Sequence, residues 1–83
     1  MIYSFRSKEA KAIWEGDFVK SLSPDIQIVA RRKLRMLNAA KLLEDLRMLK
    51  TERRGLHSIG IDDRWRACFV WTGRGAKEVE IVE

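Results

Sequence analysis

Apolar residues recur along this chain with two different periods, and the change from one to the other falls near residue 56. After Ser23, the residues Ile26, Ala30, Leu34 and Leu37 return every three or four positions, flanked by Val29, Ala40 and Leu43. That is a broad stripe at helical spacing, and it marks a buried helix face. Ser23 is a good N-cap, Pro24 fits the first helical position, and Asp25 suits the positive end of the helix dipole. The spacing therefore predicts a helix from Pro24 to about Arg47, with Asn38-Ala39-Ala40 as the place for a bend or a break. Upstream, Ile2-Tyr3-Ser4-Phe5 is β-prone, Ser7 can cap a short helix over Lys8 to Glu15 that buries Ile13 and Trp14, and Gly16 can end it.

From Leu56 onward the period is two. Leu56–Ile61 and Arg64–Trp71 read as a hairpin joined by a tight turn at Asp62-Asp63, Thr72-Gly73-Arg74-Gly75 as a second turn, and Ala76–Glu83 as a last strand. With two loop residues, Ile61 pairs with Arg64, Ile59 with Arg66 and His57 with Cys68, and paired residues share a face. The other face then carries Ser58, Gly60, Trp65, Ala67, Phe69 and Trp71. Two Trp and a Phe make it the face to lie under the helices, which leaves His57 and Arg66 side by side on the open face. A three-residue turn would undo that assignment. Strand, helices and then a meander predict an α+β domain, a small antiparallel sheet with the N-terminal helices packed on one face.

At 83 residues there is room for a single domain, residues 1–83, with a modest core. No apolar run approaches the ~20 residues of a spanning helix, and charged residues follow the N-terminus at once, so neither a membrane segment nor a secretion signal is expected and the cytoplasm is the expected compartment. Cys68 lies in the apolar run Ala67-Cys68-Phe69-Val70 and is expected to be a buried, inert thiol. One His and one Cys cannot furnish an ordinary zinc site, so no metal is expected, and no residue pattern points to a cofactor. Charge is more informative. Residues 31–54 hold nine basic groups against three acidic ones, a net of +6, while the other 59 residues balance to −1. Such a concentration favours a polyanionic partner, nucleic acid or an acidic protein, although a solvated helix face explains it equally.

The blocks Ala30-Arg31-Arg32-Lys33-Leu34-Arg35-Met36-Leu37-Asn38-Ala39-Ala40, Leu43-Glu44-Asp45-Leu46-Arg47 and His57-Ser58-Ile59-Gly60-Ile61-Asp62-Asp63-Arg64-Trp65-Arg66-Ala67-Cys68-Phe69 resemble the HigB, or killer protein, family of RelE-like toxins. The opening Ile2-Tyr3-Ser4-Phe5 and the late Val79-Glu80-Ile81-Val82 share the resemblance, which covers nearly the whole chain in order. It implies a RelE-like fold with helices on one face of the sheet and an RNA site on the other. It also implies the toxin of a type II toxin-antitoxin system, a ribosome-dependent mRNA endonuclease neutralised by a HigA-type helix-turn-helix antitoxin. Two departures stand against it. The family's connection before the residues that are here Leu49-Lys50 is longer and usually carries a turn and a strand. The family also commonly finishes Asp-Tyr-His, whereas this sequence has Glu83 in place of that Asp and no Tyr-His after it. The expectation is weakened cleavage, or a toxin-like module that binds antitoxin or RNA without cleaving; a third class is a plain basic RNA-binding protein.

Metal-free RNA cleavage needs a base for the 2′-hydroxyl, an acid for the departing 5′-oxygen and cations around the phosphate. His57 is the side chain whose ordinary pKa lies nearest neutrality, so it is the first acid-base candidate, with a strand histidine of no chemical role as its bland reading. Arg66 matches, through the resemblance, an arginine near the scissile phosphate, and its planar fork can hold two phosphate oxygens. Its alternative is a cross-strand pair with Glu80 or Glu78. Glu83 can serve by position as a carboxylate base. Arg31, Arg32 and Arg35 fall off the apolar stripe toward solvent or a partner, and Lys50, Arg53 and Arg54 can track an RNA backbone or be loop charge alone. Trp14, Trp65 and Trp71 can stack bases or fill the core.

Overall fold

The computed structural model describes residues 1–46, 49–51 and 55–83. Two helices, α1 (Lys8–Glu15) and α2 (Pro24–Ala39), precede four strands, β1 (Leu49–Thr51), β2 (Leu56–Gly60), β3 (Arg66–Thr72) and β4 (Gly75–Val82). The strands form an antiparallel sheet in sequence order. The predicted α+β class is present, with α1 and α2 packed on one face of the sheet. Among the described residues no helix is long and apolar enough to cross a membrane.

Local chemistry explains the helices. The Ser7 hydroxyl accepts from the Ala10 N–H (3.2 Å) at the start of α1. Gly16 ends it at φ 90°, where the Gly16 N–H donates to Ile13 and the Asp17 N–H to Ala12, the paired bonds of a Schellman cap. The Ser23 hydroxyl accepts from Ile26 N–H, and Pro24 opens α2. The loop between the helices is held by Gln27, which is buried. Its Oε1 accepts from Val19 N–H (2.8 Å), and its Nε2 donates to the carbonyls of Val19 and Leu22, both at 2.7 Å.

The helix predicted to reach Arg47 stops at Ala39. The Lys41 and Leu42 N–H groups, which a longer helix would aim at carbonyls four residues back, both donate to Asp45 Oδ2 at 3.1 Å, and Leu43–Asp45 becomes a 3-10 turn. Asn38 Oδ1 meanwhile accepts from Ile2 N–H (3.0 Å), tying the helix end to the N-terminal segment. Arg47 itself lies outside the described residues.

That segment, expected as a strand over residues 2–5, runs parallel to β4 through bridges at Ile2–Ala76 and Phe5–Val79. Tyr3 and Arg6 N–H donate to Ala76 and Val79 carbonyls, and Ala76 and Val79 N–H donate back to Met1 and Ser4. Gly75 allows the close approach, since a Cβ there would collide with the Met1 carbonyl oxygen. Opposite Phe69, β4 inserts one residue: Cys68 pairs with Glu80 but Val70 with Lys77. Glu78 takes φ 53° at this bulge, and its N–H donates to Ser4 Oγ (2.9 Å). The inserted residue is why Ala76 and Val79, three apart in a strand, are both fully buried on the helix side.

Core residues on that side include Phe69, Ile59, Ala67, Val79 and Ile81 from the sheet and Ile13, Leu34 and Leu37 from the helices, with Trp14, Trp65 and Trp71 packed partly against them. Replacing Gln27 by Leu removes the partner of three backbone groups, each worth about 1–3 kcal/mol if left buried. Urea denaturation is expected to show a loss of about 2–3 kcal/mol, and a change within about 0.5 kcal/mol, the range of an ordinary surface substitution, would refute the role given to Gln27.

Candidate nucleic-acid interface

Which side chains reach the open face is decided by the β2–β3 turn. Two loop residues were expected; the structure has three, Asp62, Asp63 and Arg64. The Asp62 carboxylate accepts from the N–H groups of Arg64 (2.9 Å) and Trp65 (2.7 Å), an Asx-type turn, and Ile61 N–H closes it on the Trp65 carbonyl at 2.9 Å. The register moves by one residue. His57 pairs with Phe69, Ser58 with Cys68, Ile59 with Ala67 and Gly60 with Arg66.

The expected neighbours His57 and Arg66 are therefore on opposite faces, because a one-residue slip turns a strand's whole side-chain set over. His57 is only 7% exposed and lies on the helix-side face of the sheet, the face it shares with Phe69. Its ring is tilted against Phe69 at 5.8 Å between centroids, and its Nδ1 is hydrogen-bonded to Thr51 Oγ1 at 3.0 Å. Thr51 is its cross-strand partner on β1, a strand where the sequence reading placed a loop. Trp65, Phe69 and Trp71 do lie on the helix side as expected, but their companions from β2 are His57 and Ile59, with Ser58 and Gly60 facing away.

On the open face, Lys50, Ser58, Cys68 and Glu80 form one cross-strand row, and Gly60, Arg66 and Val82 the next. Cys68 is buried beneath this face. Toward the turn the surface opens into a cleft of about 410 Å³ lined by Lys50, Ser58, Gly60, Asp62, Asp63, Arg64, Trp65 and Arg66. Gly60 forms bare floor, with open space where a Cβ would stand. A glycine inside a strand often marks a place where a ligand comes near the backbone, and that was the overlooked sign of this cleft.

The charges around it are unequal in availability. Glu80, one of the expected partners of Arg66, pairs instead with Arg6 (3.1 Å). Glu83 pairs with Arg64 at the rim. Among the described residues Lys50 and Arg66 have no ion-pair partner, and both are exposed. Asp62 and Asp63 reduce the positive potential, but one Asp62 oxygen already accepts two turn amides. The structure thus brings together Lys50, Arg66 and, at the rim, Glu83. It separates them from His57 by the thickness of the sheet, and Arg31, Arg32 and Arg35 lie exposed on α2, on the helix side. The candidates Arg53 and Arg54 lie outside the described residues.

No protein-family model matches the chain, and no match to it is found among curated proteins. The HigB-like resemblance stands on the residues quoted for it.

His57 and Arg66 should separate cleanly by mutation. His57→Ala leaves a void against Phe69 and unpairs Thr51, so it is expected to lower unfolding free energy by about 2 kcal/mol or more while leaving affinity for oligouridylate unchanged. Arg66→Ala should do the reverse, with stability held within about 0.5 kcal/mol. Urea denaturation beside fluorescence anisotropy reads both effects, and loss of binding in His57→Ala at full stability would contradict the burial of the ring.

Proposed function

We propose that this chain is a HigB-type, RelE-like module that binds single-stranded RNA in the open-face cleft, acting by binding rather than through a His57–Arg66 catalytic pair. The observation that carries the reading is the presence of two exposed cations, Lys50 and Arg66, beside a bare Gly60 floor in one cleft. Cations hold phosphates, and an open floor admits the strand. Order of the matched sequence blocks and the helices-on-one-face architecture support the toxin-like reading. With it come the ribosome and mRNA as the setting and a HigA-type antitoxin as partner, all as parts of the proposal.

One observation favours the enzymatic reading. Glu83 pairs with Arg64, which lines the cleft, and its place in the sequence makes it the carboxylate candidate for a base. If mRNA is cleaved during translation, Glu83→Gln should abolish cutting and His57→Gln should not. Primer extension on translated mRNA after induced expression separates the two readings: no cuts with intact RNA binding supports the binding module, and cuts that depend on Glu83 support the endonuclease.

Binding itself is tested by salt and by filling the cleft. For single strands, log K falls with log salt by about 0.7 per phosphate neutralised, so Lys50→Ala and Arg66→Ala should each flatten the slope by about that amount. Gly60→Leu places a side chain on the cleft floor where nothing obstructs it, and it should weaken oligouridylate binding by about tenfold or more, roughly 1.4 kcal/mol, with the fold unchanged by circular dichroism. Undiminished binding in Gly60→Leu would remove the cleft from the proposal.

A further inference from the structure

The cleft at the β2–β3 turn carries a charge pattern that phosphate binding alone does not use. Its lining includes two cations, Lys50 and Arg66, and two carboxylates, Asp62 and Asp63. Arg64, the remaining cation of the lining, is paired with Glu83. The two acids therefore cancel the free positive charge, and a carboxylate beside a phosphate path repels the phosphates it faces. They differ in what they already hold. Asp62 Oδ1 is engaged by the amides of Arg64 and Trp65, so this side chain belongs to the turn. Asp63 is exposed and, among the described residues, makes no hydrogen bond and no ion pair. An ionised carboxylate of this kind, on the wall of a cationic cleft, offers two acceptor oxygens side by side and no donor.

We infer that Asp63 selects guanine among the bases of a strand held in the cleft, an inference that rests on the RNA-binding reading and names the base that site prefers. Guanine carries two adjacent donors on its Watson–Crick edge, N1–H and the 2-amino group, which match the two oxygens of one carboxylate. Adenine and cytosine each present one amino donor beside a ring-nitrogen acceptor. Uracil presents a single N–H between two carbonyl oxygens, and these face a carboxylate unfavourably. Bases of a single strand have no pairing partner, so this edge is open to be read. The bonds of Asp62 to the Arg64 and Trp65 amides span Asp63 and hold its backbone, so binding has only the Asp63 side chain to order on the protein side of this contact. Lys50 and Arg66 hold phosphates whatever the base. Affinity and base selection therefore reside in different residues of one cleft.

The test uses the full chain and labelled pentauridylate, beside variants with guanosine, adenosine, cytidine or inosine at the central position, followed by fluorescence anisotropy. The guanosine oligomer is expected to bind roughly tenfold more tightly than pentauridylate, the discrimination of one good bidentate pair. Adenosine, cytidine and inosine, which lacks the 2-amino group, should fall near uridine. Asp63→Asn replaces one of the two acceptors by a donor and should bring the guanosine oligomer down to the level of pentauridylate. Pentauridylate itself should bind this variant no less tightly, since a negative charge has left the cleft. Circular dichroism should show the variant folded. Equal affinity for the guanosine and uridine oligomers, both lost in Gly60→Leu, overturns the inference and leaves the cleft as an RNA site. No binding of any oligomer, or binding that Gly60→Leu does not touch, removes that site and the inference with it. A guanosine preference that survives Asp63→Asn, or that inosine retains in full, would assign the reading of the base to another group and overturn it equally.

Discussion

The Asp62 carboxylate, taking the amides of Arg64 and Trp65, fixes the length of the β2–β3 turn, and the turn fixes the register of the sheet. Every assignment of a side chain to the helix side or the open side follows from it. A turn one residue shorter would bring His57 out beside Arg66 and draw Ser58 and Gly60 under the helices. With three residues in the turn, an imidazole becomes a core component bonded to Thr51, and a serine and a glycine become the floor of a cleft. One hydrogen-bonded carboxylate thus decides whether the molecule presents a proton-transfer group or a bare cationic surface.

The bulge at Glu78 makes a second adjustment of the same kind. It lets β4 place both Ala76 and Val79 under the helices, and it frees an amide that Ser4 satisfies from the N-terminal segment. That segment also covers the edge of β4, which would otherwise expose unpaired backbone groups. On the helix side, Gln27 and Asn38 do comparable work, tying the interhelix loop and the N-terminus to α2. The result is a small sheet with one face dry and packed, while the other is open and carries Lys50 and Arg66. This division lets a chain of this size offer two chemically different surfaces, a cleft with a backbone floor and a helix flank that carries exposed arginines.

What could be read from the chain beforehand was whatever neighbouring residues settle among themselves. Ser7, Gly16, Ser23 and Pro24 act within a turn of the helix they bound, so both helix starts and the end of α1 were legible, as was the placement of Trp65, Phe69 and Trp71 by alternation. The end of α2 was legible in part: Asn38-Ala39-Ala40 marked the place of a break, but Asp45 and the backbone amide of Ile2, whose bonds hold it there, are not visible in a helical period. Strand β1 is three residues long and pairs only because β2 is already in place, so it carries no pattern of its own. The register failed for a subtler reason. Asp62-Asp63 satisfies the composition of a two-residue turn, and only the bonds Asp62 accepts from the Arg64 and Trp65 amides select the longer one. From that single residue came the misplaced His57 and the overlooked Gly60, while Arg66 and Lys50 kept their place in the site because their exposure survived the shift.

A nitrogen-15 NMR titration of the chain with oligouridylate tests the link between register and function most directly. The account predicts that signals of Lys50, Ser58, Gly60 and Arg66 move together along one binding isotherm, while the ring signals of His57 and the side-chain signals of Arg32 and Arg35 stay in place. Movement of the His57 ring in step with Arg66 would mean that the two share a face in solution, and the account would be wrong.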